Sequence, residues 1–210
     1  MTKQVIYISL DMEADGPIPG VNSMRSLGAV AYSQYGTYLD FFSGNLEPLP
    51  AAVQNQGVMN WWKNFPEAWA RTTAMPEDPL KLMQRFAFWL YELEKRYKAE
   101  CVLVAYPAAY DYDFVLYYSR LFLKKDPFRG QVIDMRSMAM GLLGAPYAEA
   151  AKAKMPKRWF IDVPPHTHVA YEDALSQGAL FINMLRESEK RGIYGWLWRR
   201  MRDLRARNLP

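Results

Sequence analysis

Asp11 and Glu13 stand one residue apart at the end of the apolar run Val5–Leu10. Side chains two apart on a strand point to the same side. Two carboxylates on one face repel each other unless something positive sits between them. Hard cations such as Mg²⁺ or Mn²⁺ favour such oxygen donors. Alone, the pattern is common, and a solvated loop is the readier explanation for it.

Two further acidic positions follow. In Val104-Ala-Tyr-Pro-Ala-Ala-Tyr-Asp111 an apolar strand runs into a turn and Asp111 opens the next helix. A helix cap explains an Asp there about as well as chemistry does. Asp113 reads as solvent-facing or supporting. In His168-Val-Ala-Tyr-Glu-Asp173 a His at the mouth of a helix lies five positions before an Asp, so both can reach one site. The chain has two histidines, His166 and His168, which excludes a three-His zinc site. His166 lacks the spacing and reads as a loop residue or a phosphate neighbour.

These positions need elements that bring them together. Val5–Leu10 reads as a strand. Ser26–Tyr32 and Thr37–Leu46 read as a hairpin ended by Pro48 and Pro50. A helical stretch with Trp61, Trp62 and Trp69 follows. Pro79–Lys98 has apolar residues at helical spacing. Cys101–Ala105 is a short strand, Tyr112–Phe122 a helix, and Gln131–Ile133 a strand followed by a helix through Leu143. Asp134 there reads as a cap or strut rather than a ligand. Gly144–Pro165 is a basic loop, and Val169–Arg191 the last long helix. Three early strands, then alternating helix and strand, predict an α/β fold with helices on the faces of a mixed sheet.

Composition narrows the setting. Half the chain is apolar, which suits a sizeable core, and 210 residues suit one domain with small appendages. We assign residues 1–190 to that domain and 191–210 to a basic, Trp-containing tail. The net charge of +4 is compatible with a polyanionic partner. The single cysteine, Cys101, excludes an intrachain disulfide and a Cys-rich zinc site. The N-terminal apolar run is too short for a signal peptide, and no segment is apolar enough for membrane insertion. A reduced, cytoplasmic location is expected.

Taken in order, Asp11/Glu13, then Asp111, then His168 with Asp173, resemble the three motifs of the DnaQ-like exonucleases in their His-containing DEDDh branch. HVAYEDA is similar to the third motif and VAYPAAYD to the second. The resemblance spans about Val5 to Leu185. The family often has His-Asn where this chain has Tyr106-Pro107, which touches the surroundings of the site rather than the class. The resemblance implies a ribonuclease H-like mixed five-stranded sheet flanked by helices. It also implies 3′-5′ hydrolysis of single-stranded nucleic acid from a free 3′ end, releasing nucleoside 5′-monophosphates. Asp11, Glu13, Asp111 and Asp173 would hold two divalent cations, Mg²⁺ or Mn²⁺, and His168 would take the proton from the attacking water. Similar proteins are commonly homodimers, and the sequence shows no interface.

Substrate contacts are expected at Met12 and Ala14, as an apolar floor for the terminal base, and at Trp61 and Trp62, by stacking. Core packing explains a tandem Trp equally well. Tandem Trp after a hairpin resembles the single-domain exoribonuclease branch of mycobacteria and phages, which tilts the expected substrate toward RNA. A DNA exonuclease for repair or proofreading is the alternative. Lys152, Lys154, Lys157 and Arg158 precede the catalytic His, and Lys157 and Arg158 are expected to grip phosphates. The tail, with Trp196, Trp198 and its Arg residues, reads as an amphipathic helix docked on the domain. An inactive binding module is the least favoured reading, because all four acids and the His are present.

Overall fold

The computed structural model describes the backbone of residues 4–207 and the side chains of residues 4–190. Five strands form one mixed sheet in the order β3-β2-β1-β4-β5. They are β1 (Gln4–Ala14), β2 (Met24–Ser33), β3 (Tyr38–Asn45), β4 (Ala99–Ala105) and β5 (Val132–Asp134). β1, β2 and β3 pair antiparallel, while β4 runs parallel to β1 and to β5. This is the mixed sheet expected of the ribonuclease H-like fold.

Among the described residues, six α-helices accompany it: α1 (Gln56–Trp62), α2 (Pro66–Thr73), α3 (Pro79–Tyr97), α4 (Ala108–Tyr118), α5 (Met135–Leu143) and α6 (Ala170–Arg207). Pro66 opens α2 and divides the expected Trp-rich helix in two. α3 begins where Asp78 accepts the Lys81 amide and Pro79 supplies a preset φ. It ends at Lys98, in the left-handed conformation. α6 stays helical through Arg207, beyond the expected end at Arg191. The tail side chains lie outside the described residues. Among the described residues, no helix is long and apolar enough to cross a membrane.

β1 divides the core by its alternation. Ile6, Ile8, Leu10, Met12 and Ala14 pack with Leu82, Met83 and Phe86 of α3 and with Phe114 and Val115 of α4. The intervening residues face α6: Tyr7 meets Phe181, and the Ser9 hydroxyl donates to the Ala174 carbonyl at 2.7 Å. Cys101 is buried in β4, and burial pushes its thiol up to about 12.

Gly28 lets α6 approach. It pairs with Asp11, and a β-carbon there would lie 2.2 Å from the Tyr171 amide nitrogen and 2.3 Å from the Ala170 carbonyl carbon. The start of α6 therefore rests directly on β2, beside Asp11. Gly28→Ala is expected to push the helix outward at a cost of about 2–3 kcal/mol. That lowers the melting temperature by roughly 5–10 °C. Thermal melts of the variant check this, and an unchanged melting temperature would contradict it.

Candidate active site

β1 outruns its parallel neighbour. Its last pairing with β4 joins Ser9 to Val104, whereas its pairing with β2 continues to Ala14. Beyond Ser9, β1 has no further pairing with β4. Asp11 and Glu13 lie on this overhang and face α6. Asp111 sits in the first turn of α4, buried, and its Oδ1 accepts the Met12 amide at 3.2 Å.

Asp173 arrives from the first turn of α6 and is fully buried. The Thr167 amide donates to its Oδ1 at 2.8 Å and the His168 amide to its Oδ2 at 2.9 Å. His168 adopts φ +59°, a left-handed turn that turns the chain as these successive amides converge on one carboxylate. One helical turn beyond Asp173, the Gln177 side-chain amide donates to Asp11 Oδ1 at 2.6 Å. Carboxylate oxygens of Asp11, Glu13 and Asp173 all lie within 4.8 Å of one another.

The electrostatics follow from this crowding. Burial, then the charges of Asp111, Glu13 and Asp173, push the Asp11 carboxyl well above the usual range, against the pull of Lys152. Burial, then Asp173 and Asp111, push Glu13 up to about 8. Burial pushes Asp111 up to about 8, against its hydrogen bond from Met12. A carboxyl raised in the folded state contributes stability that is fully present below its unfolded pKa of about 4. That stability is lost as pH rises through about 8. In chelator, the melting temperature is therefore expected to fall by several degrees between pH 5 and pH 8.5. A divalent ion should restore it at pH 8.5 and do little at pH 5. Melts in EDTA and in Mn²⁺ test this, and a flat profile in EDTA would refute it.

The donor set fits hard divalent ions. Its oxygens come from four carboxylates on three elements, and a cation between them would offset the burial and the mutual repulsion that push Asp11 and Glu13 up.

His168 sits against aromatic rings. Its imidazole lies 4.2 Å from Phe65 and 4.9 Å from Trp61, centroid to centroid. Burial, then His166, hold its pKa below the ordinary value, with Asp173 pulling the other way. The two tryptophans divide their duties. Trp62 is 2 % exposed and donates its indole N–H to the Ala14 carbonyl at 3.1 Å, docking α1 on the end of β1. Trp61 is 41 % exposed and stands beside His168. An Arg71–Glu172 ion pair ties α2 to the start of α6.

The other expected contacts are placed differently. Met12 and Ala14 point into the α3 core, at 3 % and 5 % exposure, so their side chains offer almost no surface to a base. Arg158 is held by Glu187 of α6 through bonds of 2.8 and 2.9 Å. It lines a cavity of about 470 Å³ with Trp159, Ile182 and Asn183, which shares none of the carboxylates. Lys157 is exposed beside it. Lys154 pairs with Glu149. Lys152 instead turns toward the site: its charge acts on Asp11 and Asp173, and burial lowers its own pKa. Its amide donates to the Tyr106 hydroxyl at 2.7 Å, so the residue that departs from the family's second motif anchors this lysine's loop.

Sequence reasoning also missed His166 and Gln177. His166 Nδ1 lies 2.8 Å from Asp173 Oδ2. No spacing rule finds it, because a loop rather than a helix aims it. Asp134 is the expected strut: it caps α5 through Ser137 and accepts the Ala108 amide at 2.9 Å.

No protein-family model matches the chain. It is 30 % identical over 199 residues to the 3′-5′ DNA exonuclease Cap18 of Escherichia coli, covering 91 % of this chain and 98 % of that one. The chain belongs to the DnaQ-like 3′-5′ exonucleases. Solved structures agree on the fold of this exonuclease. The nuclease domain of 3′hExo, a DEDDh family member bound to rAMP, superposes with a TM-score of 0.68 at 14 % identity. That match covers 88 % of this chain and 92 % of the domain. Escherichia coli exonuclease I in complex with a dT13 oligonucleotide superposes with a TM-score of 0.62 at 11 % identity, over 94 % of this chain and 44 % of that one. The exonuclease is thus a metal-dependent hydrolase of nucleic acid.

Proposed function

We propose that the exonuclease removes nucleotides singly from the 3′ end of a single strand, with Asp11, Glu13, Asp111 and Asp173 holding two Mg²⁺ or Mn²⁺ ions. The convergence of Asp11, Glu13 and Asp173 oxygens within 4.8 Å, from strand and helix, carries this reading. When bound, such ions neutralise the phosphate, acidify the attacking water and stabilise the departing oxygen. His168 accepts the proton from that water. Its lowered pKa keeps the imidazole neutral and ready at physiological pH. Gln177 orients Asp11, and the amides of Thr167 and His168 orient Asp173. Lys152, whose charge acts on Asp11 and Asp173, meets a phosphate oxygen.

Trp61 stacks on a terminal base. Trp61→Ala is expected to raise KM about tenfold, the effect of one lost stack of about 1–3 kcal/mol. Trp62→Ala is expected instead to destabilise the fold by about 3–5 kcal/mol. Steady-state kinetics and melts on the two variants separate these roles; equal effects on KM would remove the distinction.

The favoured polymer is DNA, because the relative matched over nearly the whole of both chains is named for DNA. RNA is the second reading, supported by the 3′hExo domain, which binds rAMP. Stacking on Trp61 suits either. Single-stranded DNA and RNA of one sequence, 5′-labelled, would be incubated with Mg²⁺, Mn²⁺ or EDTA, with Asp11→Asn as control. The expected result is a metal-dependent ladder shortening from the 3′ end, faster on DNA. No shortening of either polymer would reject the assignment of these residues, and faster RNA decay would reverse the substrate.

A further inference from the structure

Asp173 belongs to a second cluster besides the carboxylates, one that includes two imidazoles. His166 Nδ1 lies 2.8 Å from Asp173 Oδ2, and the His166 and His168 rings stand 4.3 Å apart, nearly perpendicular. One ligand atom from each of His166, His168 and Asp173 fits within a 4.8 Å cluster. Two nitrogens and one oxygen make a different donor set from the all-oxygen cluster of Asp11, Glu13 and Asp173. Imidazole suits Zn²⁺ and its transition-metal neighbours, while Mg²⁺ prefers oxygen alone.

We propose that His166, His168 and Asp173 form a second metal site, selective for Zn²⁺, whose occupation switches the exonuclease off. Bonds of about 2.0–2.1 Å in a tetrahedral arrangement place ligand atoms roughly 3.4 Å apart, leaving a fourth position for water. Side-chain rotation closes the set. The His166 side chain is 48 % exposed and able to turn. His168 is already braced by Phe65 and Trp61, and Asp173 by two amides. Zinc bound there takes the imidazole of His168 out of proton transfer and Asp173 out of the all-oxygen cluster. Switching, though not binding, rests on the catalytic reading of His168 and Asp173. Because Asp173 is shared, Mg²⁺ and Zn²⁺ compete through it.

The test begins without nucleic acid. The full chain is titrated with zinc and, separately, with manganese by calorimetry, as wild type and as His166→Gln. Co²⁺ replaces zinc in a parallel titration followed by absorbance. The expected results are one zinc site with tetrahedral Co²⁺ bands, and a zinc-to-manganese affinity ratio that falls at least tenfold in His166→Gln. Micromolar zinc should inhibit the wild type in millimolar Mg²⁺, with half-inhibition moved at least tenfold higher in His166→Gln. An unchanged affinity ratio would overturn the site, since zinc would then sit on the carboxylates alone. Zinc bound through His166 without inhibition would overturn the switch. If His168→Ala kept full activity while zinc binding still depended on His166, the catalytic reading would fail and the metal site would stand.

Discussion

Asp11→Asn is expected to lower exonuclease turnover by at least about 1,000-fold, or ~4 kcal/mol of barrier, while raising the melting temperature of the metal-free protein at pH 8. The two signs come from one cause. Asp11 is buried and surrounded by Asp111, Glu13 and Asp173, so its ionised form is costly until cations arrive. A neutral amide relieves that repulsion and keeps an oxygen for the Gln177 hydrogen bond. The chemistry loses a charged ligand. Asp173→Asn should lose activity similarly but also lose stability. Both Asp173 oxygens accept backbone amides, and an amide nitrogen in place of either leaves a buried donor unpaired, at about 1–3 kcal/mol. Single-turnover kinetics and melts in EDTA on both variants check the contrast. Asp11→Asn melting lower than wild type in chelator would show that repulsion is not what Asp11 contributes.

Local pattern made much of this legible. Asp11 and Glu13 share one face of β1, and His168 and Asp173 meet at the start of α6, as their spacings predict. α3 also forms where the sequence predicts, because its cap and apolar stripe are local signals. What escaped is set by contacts distant in sequence. β1 continues through Ala14 although Asp11 and Glu13 are poor strand formers, because β2 supplies partners for them. α4 begins at Ala108 rather than Tyr112, which puts Asp111 inside its first turn, facing the Met12 amide. Gly28 looks like any strand glycine until α6 lands on it. Four cations precede His168, and the Tyr106 hydroxyl, 46 residues from Lys152, holds the loop of the one that turns inward. Arg158 carries the same charge and is committed to Glu187. His166 is aimed by a loop that no periodicity describes.

His168→Ala is expected to cut kcat about 10²–10⁴-fold at saturating Mn²⁺, the usual worth of a positioned base. The pH profile tells this role from a structural one. A base acts when neutral, so the rate rises with pH through the His168 pKa and then levels. Burial and His166 hold that pKa below its ordinary value, which carries the plateau into mildly acidic solution. The raised carboxyls Asp11, Glu13 and Asp111 also depress activity in acid, but protons and cations compete for them. Their limb moves to lower pH as Mn²⁺ is increased, and the His168 limb does not. Wild type at saturating metal should keep a limb that is indifferent to metal concentration. His168→Ala should lack it and titrate only with the carboxyls. If the indifferent limb survived in the variant, the proton would pass to another acceptor, and the aromatic wall of Trp61 and Phe65 would be holding His168 for packing rather than for chemistry.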